Sequence, residues 1–199
     1  MSYGAGSCCA FDLDRRSLDA ARINLAKFPT AEVRKGDIYD IPFKDEFDIV
    51  FSIGVVHHLS HPMDAIAQLV KATKPGGIIL VWVYGYENLE IFVHVLNPLR
   101  KALFSWMPLP IVGTLAHIPT AVLWLLLSIG FTPIDYLKLL KGFPYRHLQH
   151  IVFDQMIPQT ANYWRKEEAL ALLDHPDVSA VQIDWINECS WCVSGKKST

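Results

Sequence analysis

Two short and almost uninterrupted apolar runs, FDIVFSI at 47–53 and IILVWVY at 78–84, frame a single stretch of helical periodicity. That arrangement limits the folds open to the chain. A strand apolar on both faces belongs inside a covered sheet, the setting that parallel sheets provide. Between the runs, Met63, Ile66, Ala67, Leu69 and Val70 recur at helical spacing from Pro62 to Thr73, and KPGG at 74–77 stops the helix with a turn. Upstream the pattern repeats. SCCAF at 7–11 is a short apolar run ending at Asp12, and Asp14 can cap a helix carrying Leu18, Ala21 and Leu25 on one face before Pro29 closes the unit. AEVRKGD at 31–37 reads as a second short strand ending at Gly36-Asp37. Strand, helix, strand, strand, helix, strand with short connections predicts an α/β fold with a doubly wound sheet.

The middle of the chain obeys another rule. No Asp, Glu, Lys or Arg occurs between Lys101 and Asp135, and IVGTLAHIPTAVLWLLLSIGF at 111–131 is long enough to suggest a membrane span. His117 and Pro119 near its centre, and α/β patterns on both sides, favour two or three apolar helices broken at Pro108, Pro110, Pro119 and Pro133. These would pack as a lid over the sheet, with residues 102–134 able to touch a bilayer surface. An exposed apolar lid points to an apolar ligand, a partner or a membrane. Beyond it, RKEEALALL predicts a helix with Glu167 and Glu168 in its first turn, where the helix dipole favours acids. VSAVQIDWI and CSWCVSG predict an antiparallel strand pair turning near Asn187-Glu188 and completing the sheet.

Of 199 residues, 51% are hydrophobic and 12% aromatic, which excludes a disordered chain and fits one full-sized domain. A formal charge of −2 and the lack of a basic run leave no footprint for nucleic acid, so none is expected as a partner. Cys189 and Cys192 match C-x-x-C, but in a strand, residues three apart face opposite sides, so buried thiols are expected rather than a metal or redox site. His147 and His150 lie three apart with only Asp154 near in sequence, too few ligands for a metal. The N-terminus has no basic region followed by an apolar core, which makes the cytoplasm the expected compartment.

In an open α/β sheet, ligands sit beyond the carboxyl ends of the strands. That rule selects Asp12, Asp37 and the bend Ser52-Ile53-Gly54. A carboxylate ending a strand can accept both hydroxyl protons of a ribose, and Asp12 is placed for it. Asp37 can accept from an exocyclic amine, with Ile38 as an apolar wall. Gly54 would let the backbone approach a ligand closely. His57 and His58 follow at the start of the next element, where an imidazole can act as a general base, cap a helix or pack a loop. Tyr145, Arg146 and His147 could line a pocket under the lid, as could Tyr163 and Trp164.

Taken in order, AFDLDRRSLDAARINL, GDIYDIPF, FDIVFSIGVVHHLSHP and KPGGIILV resemble the class I S-adenosylmethionine-dependent methyltransferases, of the type that includes ubiquinone and menaquinone biosynthesis enzymes. The resemblance covers roughly residues 8–85 and implies a Rossmann-like sheet with S-adenosylmethionine as cofactor. It implies cofactor contacts from Asp12 to the ribose, Asp37 and Ile38 to the adenine, and Ser52 and Gly54 to the amino-acid portion, with Leu13 and Ile53 as further cofactor contacts. His57 and His58 become candidate catalytic bases, and Tyr145, Arg146 and His147 candidate substrate contacts. The implied organisation is a partial cofactor-binding core at 1–86, an apolar helical lid at 87–160, and a helix and strand pair at 161–199 completing the core.

One departure stands out. Such enzymes carry a glycine-rich loop and a helix between a first strand and the ribose acid, whereas here eleven residues precede Asp12 and YGAGS runs straight into the Cys8-Cys9 strand. The expectation is therefore an N-terminally truncated sheet lacking its first strand. The leading functional expectation is methyl transfer to a small, apolar acceptor. The alternative is an inactive derivative that binds a partner or membrane surface through its apolar segment. A nicotinamide oxidoreductase is disfavoured because G-x-G-x-x-G is absent.

Overall fold

The computed structural model describes residues 4–104 and 106–199. It opens with β1 (Cys8–Asp12), α1 (Arg15–Leu25) and β2 (Ala31–Lys35), then β3 (Phe47–Ile53), α2 (Pro62–Ala72) and β4 (Thr73–Tyr84). A helical region follows, comprising α3 (Asn97–Phe104), α4 (Leu109–Leu115), α5 (His117–Ser128), α6 (Asp135–Lys141) and α7 (Tyr145–Met156). The chain then returns to the sheet through α8 (Lys166–Ala171), β5 (Val178–Ile186) and β6 (Ser190–Lys197).

The strands form two sheets. β1 and β2 pair in parallel, and a four-stranded sheet has the order β3-β4-β6-β5, with β3 and β4 parallel and β6 antiparallel to both neighbours. Among the described residues no strand joins β1 to β3, so the strands form two separate sheets rather than the single one expected. Aromatic rings connect the two parts: Phe11 of β1 meets Phe43 edge-on with centroids 6.1 Å apart, and Phe43 meets Phe47 of β3 at 5.0 Å. One face of the larger sheet is closed by α2 and α8. Ile79, Val81, Val83 and Val193 are buried there with Ile66, Leu69, Val70, Leu172 and Leu173. The opposite face leaves Ile49, Phe51, Ile53 and Ile78 exposed.

Local chemistry explains most element ends. Asp14 caps α1, its carboxylate accepting from the Ser17 N–H at 2.9 Å. α2 starts at Pro62, a favoured first position, and closes where the Thr73 hydroxyl donates to the Leu69 carbonyl at 2.8 Å. KPGG differs from the expected helix-stopping turn. β4 begins at Thr73, paired with Phe47, and the next partner pair is Ile49 with Ile78, so Lys74–Gly77 bulges out of the ladder. Pro75 has no N–H to contribute and Gly76 takes φ +77°, which makes this segment suited to the bulge. The three-residue β5–β6 loop places both Asn187 and Glu188 at positive φ, and the Cys189 N–H closes the turn by donating to the Ile186 carbonyl at 3.2 Å.

The helical region leaves and rejoins the sheet at one clasp. The Trp164 N–H donates to the Tyr84 carbonyl at 3.1 Å, and the Tyr86 N–H donates to the Trp164 carbonyl at 2.9 Å. Within the region, α4 packs on the C-terminal half of α7 through Val112, Ala116 and Met156, while α5, α6 and α7 share Leu127, Leu140 and Leu148.

Candidate cofactor crevice and the aromatic wall beside it

β1 and β2 are parallel neighbours, with Asp12 facing Lys35 in register. Asp12 and Asp37 therefore emerge at the same end of this sheet. Both are exposed. One oxygen of each is held locally: Asp12 Oδ1 accepts from the Asp14 N–H at 2.8 Å, and Asp37 Oδ1 from the Tyr39 N–H at 3.0 Å. Each keeps further acceptor capacity for a ligand. Gly36, just before Asp37, is dictated by packing. A Cβ there would lie 2.0 Å from the tip of the Phe11 ring, so a larger residue would require that ring to move. Ile38 packs against the core, whereas Leu13 is exposed.

At the end of β3, Ser52 points to the covered face and its hydroxyl is buried without a protein partner. Ile53 is exposed. Gly54 has φ +78°, a backbone conformation that favours glycine, and a Cβ added to it would meet no protein atom within 4 Å. That turn leads into one 3₁₀ turn at Val56–His58.

The two histidines differ sharply. His57 is completely buried, its ring stacked on Tyr84 at 3.7 Å and edge-on to Trp82 at 5.8 Å, with neither ring nitrogen hydrogen-bonded. Burial, with a smaller contribution from His58, pulls its pKa down from 6.5 to about 3. A ring so placed is a neutral packing element and a poor base, which corrects the expectation of a catalytic role for His57. His58 is half-buried, and its Nδ1 lies 2.9 Å from the Thr160 carbonyl. A carbonyl only accepts, so Nδ1 carries the hydrogen and Nε2 the lone pair, the tautomer a general base needs. Asn162 fixes the same segment, donating its N–H to the His57 carbonyl and its side-chain amide to the Leu59 carbonyl, both at 2.8 Å.

An aromatic wall continues from His57. Tyr84 stacks on Tyr163 at 5.5 Å, and Tyr163 tilts against Phe92 at 6.0 Å. The Tyr84 hydroxyl accepts from Gln155 Nε2 of α7 at 2.7 Å. Burial raises the pKa of both phenols, so the wall is uncharged. Close by, Arg100 is buried and donates to Asn97 Oδ1 and the Pro158 carbonyl, and burial lowers its pKa. Tyr145, Arg146 and His147 lie elsewhere. Tyr145 bonds the His117 carbonyl at 3.2 Å, His147 packs on Phe143 at 4.5 Å, and Arg146 is exposed. At 1.5 Å rise per residue, Tyr145 is about 15 Å along α7 from Gln155. The three residues expected to line a pocket thus sit where α7 meets α5, away from the wall. Sequence reasoning also missed Tyr84, Gln155, Thr160 and Asn162. Their role depends on a return of the chain across more than seventy residues, which no local spacing announces.

Residues 1–81 match the family model described as a methyltransferase domain. Over 82 residues the chain is 42% identical to a tRNA (carboxymethyluridine(34)-5-O)-methyltransferase of Arabidopsis thaliana, covering 39% of this chain and 18% of that protein. Over 93 residues it is 33% identical to "Probable tRNA methyltransferase 9B" of Bos taurus, covering 43% and 20%. The chain spans about a fifth of the length of these relatives. A solved S-adenosylmethionine-dependent methyltransferase of Thermotoga maritima, described as a possible histamine N-methyltransferase, superposes with a TM-score of 0.53 at 15% identity, covering 96% of this chain and 72% of that one. Residues 1–81 thus match a methyltransferase domain, and the fold is one shared with solved S-adenosylmethionine-dependent methyltransferases.

Proposed function

We propose that the chain binds S-adenosylmethionine at the ends of β1, β2 and β3 and directs its methyl group to a small, apolar acceptor lying against the aromatic wall. The observation that carries this reading is the pair of exposed carboxylates, Asp12 and Asp37, ending adjacent parallel strands. The residues present suit the cofactor's adenosine half: Asp12 for the ribose hydroxyls, Asp37 for the adenine amine, Ile38 for the ring face. The orphaned Ser52 hydroxyl and the bend at Gly54 stand beside the place for the amino-acid portion.

When bound, the cofactor supplies an electrophilic methyl on a sulfonium, transferred in line to the acceptor as the carbon–sulfur bond breaks. Little acid–base chemistry is asked of the protein, which aligns the acceptor and excludes water. The neutral rings of Tyr84, Tyr163 and Phe92 suit an apolar acceptor. Where the acceptor must lose a proton, His58 Nε2 is the group in the right tautomer to take it.

Titration calorimetry with S-adenosylmethionine tests the reading. Binding should be measurable for the wild type and at least about tenfold weaker for Asp12→Ala. A folded wild-type chain that takes up no cofactor refutes the catalytic reading and favours a non-catalytic binding protein. A second reading, in which the acceptor is a tRNA nucleoside, is supported by the functions stated for the two relatives above. Transfer of labelled methyl into bulk tRNA, with none into small apolar acceptors, would decide for it.

A further inference from the structure

α5 violates the rule that a surface helix keeps one face polar. Its inward stripe is ordinary: Thr120 and Leu127 are buried, with Leu123 packed on the α6–α7 cluster. Its outward stripe is apolar too. Ile118, Val122, Leu125 and Ile129 follow one another at helical spacing and are 65%, 56%, 57% and 73% exposed. A helix apolar all round is normally enclosed on every side, by protein or by lipid. Neighbouring segments extend the surface: Leu109 and Ile111 of α4 are exposed, Trp106 is 88% exposed, and Trp124 is exposed on α5 itself. From Leu109 to Ser128 the helices are long and apolar enough to cross a membrane, yet the inward stripe is committed to protein contacts.

Charge selects the covering. The helices α3–α7, residues 97–156, hold five lysines and arginines against two acids, Asp135 and Asp154, in a chain whose formal charge is −2. Arg100 is buried, but Lys101, Lys138, Lys141 and Arg146 are exposed at the two ends of the apolar stretch. Lys138 is tied to Asp135 at 2.7 Å. Lys141 borders a groove of about 330 Å³ together with Trp124, Leu127, Ser128, Phe143 and Leu148, so a cation stands directly beside the apolar surface. Apolar side chains, tryptophans and a rim of basic residues form the combination that lies in the interface of an anionic bilayer.

We infer that the outer face of α4 and α5 docks peripherally on an anionic lipid surface. This goes beyond the methyltransferase reading and stands whether or not that reading holds. The test is flotation of the whole chain with vesicles of phosphatidylcholine, with and without phosphatidylserine. Wild type should float with the anionic vesicles and be released by salt. Ile118→Gln/Leu125→Gln/Ile129→Gln should bind at least about a hundredfold more weakly. Its melting temperature should match wild type, because all three residues point outward. Lys141→Gln, which leaves the stripe intact, should weaken binding about fivefold. Failure of wild type to float, or undiminished flotation of the triple variant, overturns the inference. A wild-type dimer that the triple variant converts to monomer would assign the stripe to a second copy instead. Retention on vesicles after an alkaline carbonate wash would mean a span rather than a surface contact. Loss of tRNA binding in Lys141→Gln, with vesicle binding unchanged, would assign the basic rim to RNA.

Discussion

α2 and α5 are nearly the same length and each buries one stripe, α2 against the sheet and α5 against α6 and α7, yet their outer faces are opposites. In α2, Ala65, Ile66, Leu69 and Val70 are buried against the sheet, while Asp64, Gln68 and Lys71 occupy the outward positions. In α5 the outward positions with the same i, i+4, i+7 spacing hold Ile118, Val122 and Leu125. The inner stripe decides how a helix packs in its own domain, and the outer stripe records what else it meets. α2 meets water; α5 is built to meet something apolar.

The largest test of that contrast is a pair of truncations measured by urea unfolding. Ile66→Ala should cost about 2–5 kcal/mol, since a buried side chain leaves a cavity. Leu125→Ala should fall within about 0.5 kcal/mol in the absence of lipid. A comparable loss at both sites would show that the outer face of α5 is already covered in solution. Next comes the tie between α2 and the last strand. Lys197 Nζ donates to Asp45 Oδ1 at 2.7 Å and to the Val70 and Thr73 carbonyls at 2.9 Å each. Lys197→Met should therefore lower stability by about 2 kcal/mol, a loss with no counterpart at the end of α5.

His57 gives a smaller, pH-dependent effect. Its pKa is about 3 in the fold against 6.5 ordinarily, so between those values the unfolded chain binds more protons than the folded one. Stability must then rise with pH across that window and fall on acidification below about 6.5, by up to about 1.4 kcal/mol per pH unit. His57→Phe keeps the stack on Tyr84 and should flatten this slope in thermal melts between pH 7 and 5; an unchanged slope would mean the acid sensitivity lies elsewhere. The smallest effect belongs to the cap of α1, where Asp14→Ala should cost about 1 kcal/mol by the same melts.

What the sequence revealed follows the range of the interactions. α1 and α2 begin at Asp14 and Pro62, where capping and ring geometry act within four residues, and the hairpin turn lies at Asn187-Glu188 as composition suggests. Asp12 and Asp37 emerge at strand ends because the sheet rule needs only the strand boundaries. The histidine pair shows the limit. Nothing in HHL says which ring turns inward; that depends on Tyr84 stacking on His57 and on Thr160 accepting from His58. Tyr145, Arg146 and His147 lie away from the wall for a related reason, since their place is set by the direction of α7 and not by its composition.

The clasp at Tyr84, Trp164 and Tyr86 has an evolutionary consequence. Because the helical excursion begins and ends at one point on β4, its length and sequence can drift without shifting the register of any strand, and a longer loop costs little extra closure entropy. The region can therefore change in length and sequence while the strands and the carboxylates at their ends keep their places.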